Sequence, residues 1–464
     1  MKISRNVLIA LAAAAASAIS GASAATVDFS GYFRSGTGAS SQGGKEVCFR
    51  MPGSIAWFRL GNECDTYAAL SFGSTLGTVD GTTFKAKFTT AYGTQQAANW
   101  EQSSPAFREA FVEATDIGAS MGMPALAGAT LWAGKRFYKN PDIHMLDYTY
   151  WEVGMGPGFG LDNVDMGAAG KFSYAMFRVG DFTGYGINTS LGGYNPELIG
   201  GGSRTATVHD FRLQDIAVNP GGKVTLGADL VMKSNRSGTS TYTQDVVQQI
   251  TVDGTTYDVV VRETKTIDNE AGRNGFGLTL SHRQENLFGL GRFNDVTVQY
   301  AHNAASLKGF GFAGSNDKRR EWLVFDHWVI EPAGMPISGS ATIGLRNATI
   351  NDKNVKDFWI GARPQYHLNN VWSLMSEVGY QQVKPEDEPT RKLAKVTLGT
   401  QFSMGKSVWA RPAIRFFLTH AKWNDAAGQA GAVACTGRDC NTAVDTYADK
   451  RHGTTYGAQV EAWF

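Results

Sequence analysis

The chain has 464 residues, with 43 Lys and Arg against 42 Asp and Glu, for a formal charge of +1. So even a balance offers no basic face to nucleic acid and no strong field for selecting ions. Hydrophobic residues make up 42%, yet no apolar run approaches the roughly 20 residues that a helix needs to cross about 30 Å of hydrocarbon, so a membrane protein of this sequence has to cross with strands.

At the N-terminus Lys2 and Arg5 precede an apolar run over 7–16 and a small-residue stretch over 17–25 with an A-x-A site at Ala22-Ser23-Ala24. That is the pattern of a signal peptide. The expected division is a leader over 1–24 and a single exported domain over 25–464, since no Pro-rich linker, charge block or composition shift divides the remainder. Removal of Lys2 and Arg5 with the leader leaves a formal charge of −1.

From Val27 onward the chain reads as short segments of alternating polarity separated by Gly, Asn, Asp and Ser clusters, which predicts antiparallel strands throughout. In the first, Val27, Phe29 and Phe33 oppose Asp28, Ser30, Tyr32 and Arg34. After Cys64, Ala68, Leu70 and Phe72 oppose Asp65, Tyr67, Ala69 and Ser71. Further on, Val296, Val298 and Tyr300 oppose Phe293, Asp295, Thr297 and Gln299. Between residues 408 and 419, Val408, Ala410, Ile414, Phe416 and Leu418 oppose Trp409, Arg411, Arg415 and Thr419. In the last strand Tyr456, Ala458, Val460, Ala462 and Phe464 oppose Thr455, Gly457, Gln459, Glu461 and Trp463. One face suits lipid and the other water, as in an outer-membrane barrel.

Five aromatics, Tyr32, Tyr67, Phe293, Trp409 and Trp463, fall on the watery side. Rings inside a water-filled pore suit a solute with an apolar face, and pyranose rings present flat patches of C–H for stacking. The four cysteines are an even number in an exported chain, so disulfides are favoured over thiols or metal ligands, and neither local pair is a CxxC. Three pairings are possible. The local ones, Cys48 with Cys64 and Cys435 with Cys440, are expected.

The segments VDFSGYFRSG (27–36), RLGNEC (59–64), PAFREA (105–110), WAGKRFY (132–138), HMLDY (144–148), FRLQDIAVNPGG (211–222), VQYA (298–301), RPAIR (411–415) and the terminal AWF together resemble the maltoporin family from end to end. The resemblance implies an all-β fold: a transmembrane antiparallel barrel of 18 strands, assembled as a homotrimer in the outer membrane of a Gram-negative bacterium. A loop over about 137–152 is expected to fold inward and narrow the channel. It implies a lumenal line of Tyr32, Tyr67, Trp100, Phe293, Trp409 and Trp463 that guides oligosaccharides, with Trp100 reaching over from a neighbouring subunit. Opposite the line, Arg34, Arg59, Arg108 and Asp147 match side chains that exchange hydrogen bonds with sugar hydroxyls, guanidiniums donating and the carboxylate accepting.

Departures from the family pattern concern the constriction. Ala69 stands where a glutamate is usual, Asn140 where an arginine is, Thr149 where a tyrosine is, and Glu152 where an aspartate is. Loss of the tyrosine should open the narrowest point, and Asn140 also resembles sucrose porins. The expected activity is facilitated diffusion of maltodextrins or related sugars, with a general diffusion porin or a relaxed, sucrose-type porin as the alternative. No cofactor or metal is expected. An enzyme is not expected either: GxSxG, HExxH and P-loop motifs are missing, and His144, His302 and His420, although near acids, read as solvated wall or loop residues.

Overall fold

The computed structural model describes residues 26–96, 105–153, 156–180, 187–188, 193–194, 205–233, 238–253, 255–269, 273–309, 318–431, 433–435, 446–447 and 450–464. The leader over 1–24, Trp100 and Cys440 lie outside the described residues.

Eighteen strands form one sheet. They are β1 (Val27–Ser40), β2 (Asp65–Val79), β3 (Thr82–Gln95), β4 (Ala106–Thr115), β5 (Thr130–Lys135), β6 (Pro157–Asp165), β7 (Lys171–Gly180), β8 (Thr205–Asn219) and β9 (Gly222–Lys233). The second half comprises β10 (Gly275–Glu285), β11 (Phe293–His302), β12 (Arg319–Ile330), β13 (Ile337–Ile350), β14 (Lys353–His367), β15 (Trp372–Pro385), β16 (Arg391–Ser403), β17 (Ala413–Trp423) and β18 (His452–Trp463). Each is antiparallel to its chain neighbours, and β1 pairs with both β2 and β18, Tyr32 lying opposite Trp463, so the sheet closes and leaves no edge.

Two-residue alternation sets the wall. In β17 the outward Ile414, Phe416 and Leu418 are each about half exposed, at 48%, 51% and 48%, while Arg415 and Thr419 between them are buried inside. Short turns join the strands at one end. There the outward rings Phe29 and Phe464 lie 5.2 Å apart, Trp372 and Phe402 stack at 6.1 Å, and Phe288 stacks on Trp328 at 6.4 Å. This is an aromatic girdle at one membrane interface.

Two loops from the other end fill part of the lumen. The loop over 136–153 turns inward as expected, burying Tyr138, Ile143, Leu146, Tyr150 and Trp151 against Phe177, Val208, Phe325 and Trp359 of the wall. Trp151 lies so close to β9 that a Cβ on Gly227 would come within 1.9 Å of its ring, a contact only glycine permits. The wall also bonds to the loop: Arg212 Nη1 donates to the Lys139 carbonyl at 2.7 Å, Trp151 Nε1 to Asp210 at 3.1 Å, and Gln299 Nε2 to the Tyr150 carbonyl at 3.0 Å.

A second inward loop, over 41–64, was not foreshadowed by any period. The expected disulfide between Cys48 and Cys64 staples its base. Phe49, Met51 and Val47 pack against Val383, Leu393 and Trp423, while Gln381 Nε2 donates to the Ala56 carbonyl at 2.6 Å and Lys395 Nζ to that of Leu60 at 2.8 Å. The two loops meet where the Arg59 amide donates to the Met145 carbonyl at 3.2 Å.

One reading of a strand needs correction. Trp409 and Arg411 were placed on a strand, but β17 begins at Ala413 and both residues belong to the turn before it. Pro412 has no N–H for the ladder, and the Ala410 amide bonds back to the Ser407 carbonyl at 3.0 Å, closing a turn instead. Between β9 and β10, Gly238–Val252 and Thr255–Asn269 pair with each other as a hairpin that, among the described residues, stays apart from the barrel sheet.

Candidate functional site

A lumenal cavity of about 510 Å³ is lined by Tyr32 and Arg34 of β1, Tyr67 of β2, Arg108 of β4, Trp409 of the turn and Trp463 of β18. Arg59 enters from the first inward loop, and Asp142, His144, Asp147 and Thr149 from the second. Nine residues singled out in the sequence therefore converge on one space. They do so because β18, β1 and β2 are adjacent in the closed sheet and their inward positions align across it.

The aromatic side is continuous. Tyr32 and Tyr67 have ring centroids 6.0 Å apart, Trp409 and Trp463 are 6.4 Å apart, and the His144 ring touches both indoles at 5.3 and 5.7 Å. The four rings of the line are only partly buried, so their faces stay open to a solute. The Arg411 guanidinium covers Trp463 from one side at 4.2 Å and fixes its orientation.

The polar side is a closed charge network. Arg34 bonds Asp65 through Nε and Nη2, both at 2.9 Å, and reaches Glu63 at 3.1 Å and Asp147 at 3.4 Å. Arg59 bonds Glu63, donates to Glu461 at 3.0 Å and donates to the Tyr32 hydroxyl at 3.0 Å, which in turn donates to Glu461 at 3.1 Å. Arg411 and Arg415 also converge on Glu461, at 2.6 and 2.9 Å. Four guanidiniums thus face the carboxylates of Glu63, Asp65, Asp147 and Glu461, and the lining adds one more of each charge in Arg108 and Asp142. The site is rich in fixed donors and acceptors but close to neutral, a lining suited to an uncharged polyhydroxylated solute rather than to an ion.

Loop position tunes three further groups. Burial, reinforced by Arg59, pushes the His144 imidazole down to about 4, so it enters the site neutral, able to donate from one nitrogen and accept at the other. Burial pushes the Asp142 carboxyl up to about 6 despite Arg59. Burial opposes ionisation of Asp147 as well, but Arg59 and Arg34 prevail and hold it below the usual carboxylate range. Asp142 and His144 were missed among the candidate residues. The signal available was the HMLDY segment itself, which places His144 three residues before Asp147, and Asp142 pairs with Thr149 across a short two-residue ladder.

Three candidates lie elsewhere. Glu152 pairs with Lys308 at 3.3 Å, outside the cavity lining, and Asn140 follows Lys139, whose ammonium bonds Ser173 and Gln214 of the wall. Phe293 does face inward, at the short-turn end of β11, but its ring lies between Arg283 at 4.0 Å and His327 at 5.7 Å, outside the cavity.

A closed 18-strand antiparallel barrel with an apolar outer wall, an aromatic girdle and a lumen narrowed by its own loops is an outer-membrane porin. The LamB porin family model matches residues 27–464, and the chain belongs to that family, the family of maltoporins and sucrose porins, in the outer membrane of a Gram-negative bacterium. Among solved structures, the trimer form of OmpT from Vibrio cholerae is 10% identical at a TM-score of 0.38, over 95% of this chain and 100% of that one. The anion-selective porin from Comamonas acidovorans is 10% identical at 0.36, over 95% and 100%. A triple mutant of Rhodopseudomonas blastica porin is 12% identical at 0.36, over 94% and 100%.

Proposed function

We propose that this porin passes neutral oligosaccharides by facilitated diffusion, with Tyr67, Tyr32, Trp463 and Trp409 as a stacking wall and Arg34, Arg59, Arg108 and Asp147 as the hydrogen-bonding side. The observation that carries the reading is the pairing of partly open rings with a balanced charge network across one lumenal cavity. A pyranose stacks its C–H face on the rings while its hydroxyls trade water for guanidinium and carboxylate partners, so the solute moves without one large desolvation step. Flux follows the gradient and involves no catalysis or cofactor. Phe293 extends the aromatic line toward the short-turn end, and Glu152 and Asn140 act on the solute before it reaches the cavity.

The export signal over 1–24 is removed, Cys435 and Cys440 form a second disulfide, and the working unit is a homotrimer in which Trp100 serves a neighbouring lumen. Maltodextrins and sucrose are both within the reading. Thr149 lines the cavity, and a short side chain where the family resemblance expects a tyrosine favours the more relaxed specificity. Concentration-dependent block of single-channel current by maltotriose, sucrose and an unrelated disaccharide tests it. Saturable block supports a sugar site, whereas current insensitive to all three supports a general diffusion porin.

A further inference from the structure

The outer wall carries a polar site of its own. On β12 the inward residues are Glu321, Leu323, Phe325 and His327, all buried in the lumen, and the outward ones include Trp322 and Val324, at 37% and 38% exposure. Asp326 belongs to the outward set, so its carboxylate faces the apolar medium, where an ionisable side chain is costly and becomes cheap only near an interface. It is built in place. Asn294 Nδ2 of β11 donates to one oxygen, and Trp328 Nε1 donates to the other at 3.0 Å. Neither donor is a cation, and among the described residues Asp326 forms no ion pair. Each oxygen keeps a lone pair for one more donor.

Depth and surroundings indicate which donor. Trp328 belongs to the girdle, its ring stacked with Phe288, which is 83% exposed in the adjoining turn. At about 3.3 Å per residue on a strand tilted by about 40°, Asp326 lies roughly 5 Å along the barrel axis from Trp328, at headgroup depth. Beside it the wall is hollowed. Gly339 and Ala341 of β13 and Ala362 and Pro364 of β14 are small where their neighbours are bulky, and with Ile330 and Leu374 they line a trough of about 600 Å³. Trp328 pairs with Ala341 and Ile330 with Gly339, so the trough opens next to the carboxylate and the rings.

We propose that Asp326, Trp328 and Phe288 bind the ammonium headgroup of a phospholipid in the periplasmic leaflet, the side of the short turns, with one acyl chain seated in the trough. The ammonium donates to the two free lone pairs and lies against the ring faces. A headgroup bearing only phosphate and hydroxyls meets an uncompensated carboxylate and is rejected. This proposal stands apart from the sugar reading, since none of these residues lines the lumenal cavity.

The test is native mass spectrometry of the detergent-purified protein mixed with phosphatidylethanolamine or phosphatidylglycerol of identical chains. The ethanolamine lipid should be retained at least about tenfold more, the scale of one charge-assisted hydrogen bond. Asp326→Asn should abolish that preference, and Ala362→Leu, which fills the trough without touching the carboxylate, should lower retention of the same lipid. Both variants should keep wild-type current block by sugar, which shows that they fold. Free ethanolamine at the lipid's concentration should not displace it. Equal retention of the two lipids, or retention unchanged in both variants, overturns the proposal; displacement by free ethanolamine overturns the part assigned to the trough.

Discussion

The loop over 136–153 has two faces, and they meet opposite surroundings. Tyr138, Ile143, Leu146, Tyr150 and Trp151 are buried against Phe177, Val208, Phe325 and Trp359, whereas Asp142, His144, Asp147 and Thr149 open onto the cavity that Tyr32, Tyr67, Trp409 and Trp463 line from the other side. The dry half of the lumen fixes where the loop sits, and the wet half uses that position. A backbone carrying four polar groups into a channel would otherwise sample many placements, so the specificity of the wet face rests on the packing of the dry one.

The comparison breaks most visibly at Trp151. Trp151→Ala removes a buried indole, a change that costs about 3–5 kcal/mol in packed cores, and frees Asp210 of one donor. The strand ladders are untouched, so the barrel should still form, but conductance should rise and become noisy and sugar block should weaken sharply in planar bilayers. A quiet channel with normal block would mean that the loop is held by other contacts.

On the wet side, Glu461→Gln leaves Arg59, Arg411 and Arg415 facing one another without their shared carboxylate. The channel should turn toward anions in reversal-potential measurements and bind maltotriose about tenfold more weakly, the scale of a charged hydrogen bond. Trp463→Ala and Trp409→Ala each lose a stacking surface worth about 1 kcal/mol, or roughly fivefold in sugar affinity, and Phe293→Ala should change it less because its ring lies outside the cavity. Equal effects of all three would mean that sugar binds as tightly at Phe293 as in the cavity.

Thr149→Tyr restores a ring opposite the aromatic line. Sucrose influx in liposome swelling should fall and block by maltotriose should tighten modestly. The smallest effect concerns pH. Asp142, with its carboxyl pushed up to about 6, is ionised at pH 7 and loses its negative charge as pH falls through 6, while His144, near 4, stays neutral over that window. Reversal potentials should therefore drift toward anion preference between pH 7 and 5, and Asp142→Asn should flatten the drift.

Much of this was legible in the chain because a barrel wall meets lipid and water on alternate residues, a contrast that every strand repeats. Inward placement of Tyr32, Tyr67 and Trp463 followed from that contrast alone. Trp409 reached the lumen by a different route, through a turn that parity cannot describe, so its placement was right and its element wrong. The first inward loop left no period because its partners lie some 300 residues away, as in the bonds from Ser54 and Ile55 to Asp357. His144 looked like one of several scattered histidines until the fold brought Trp409, Trp463 and Glu461 around it.

The central claim is that one lumenal cavity binds neutral sugar through rings on one side and charge-balanced donors on the other. Titrating single-channel current with maltotriose, in the wild-type protein and in the Trp409→Ala/Trp463→Ala double variant, tests it most directly. Block should saturate in the wild type and shift to higher concentration in the variant while open-channel conductance stays intact. Block that never saturates, or that is identical in the two proteins, would contradict it.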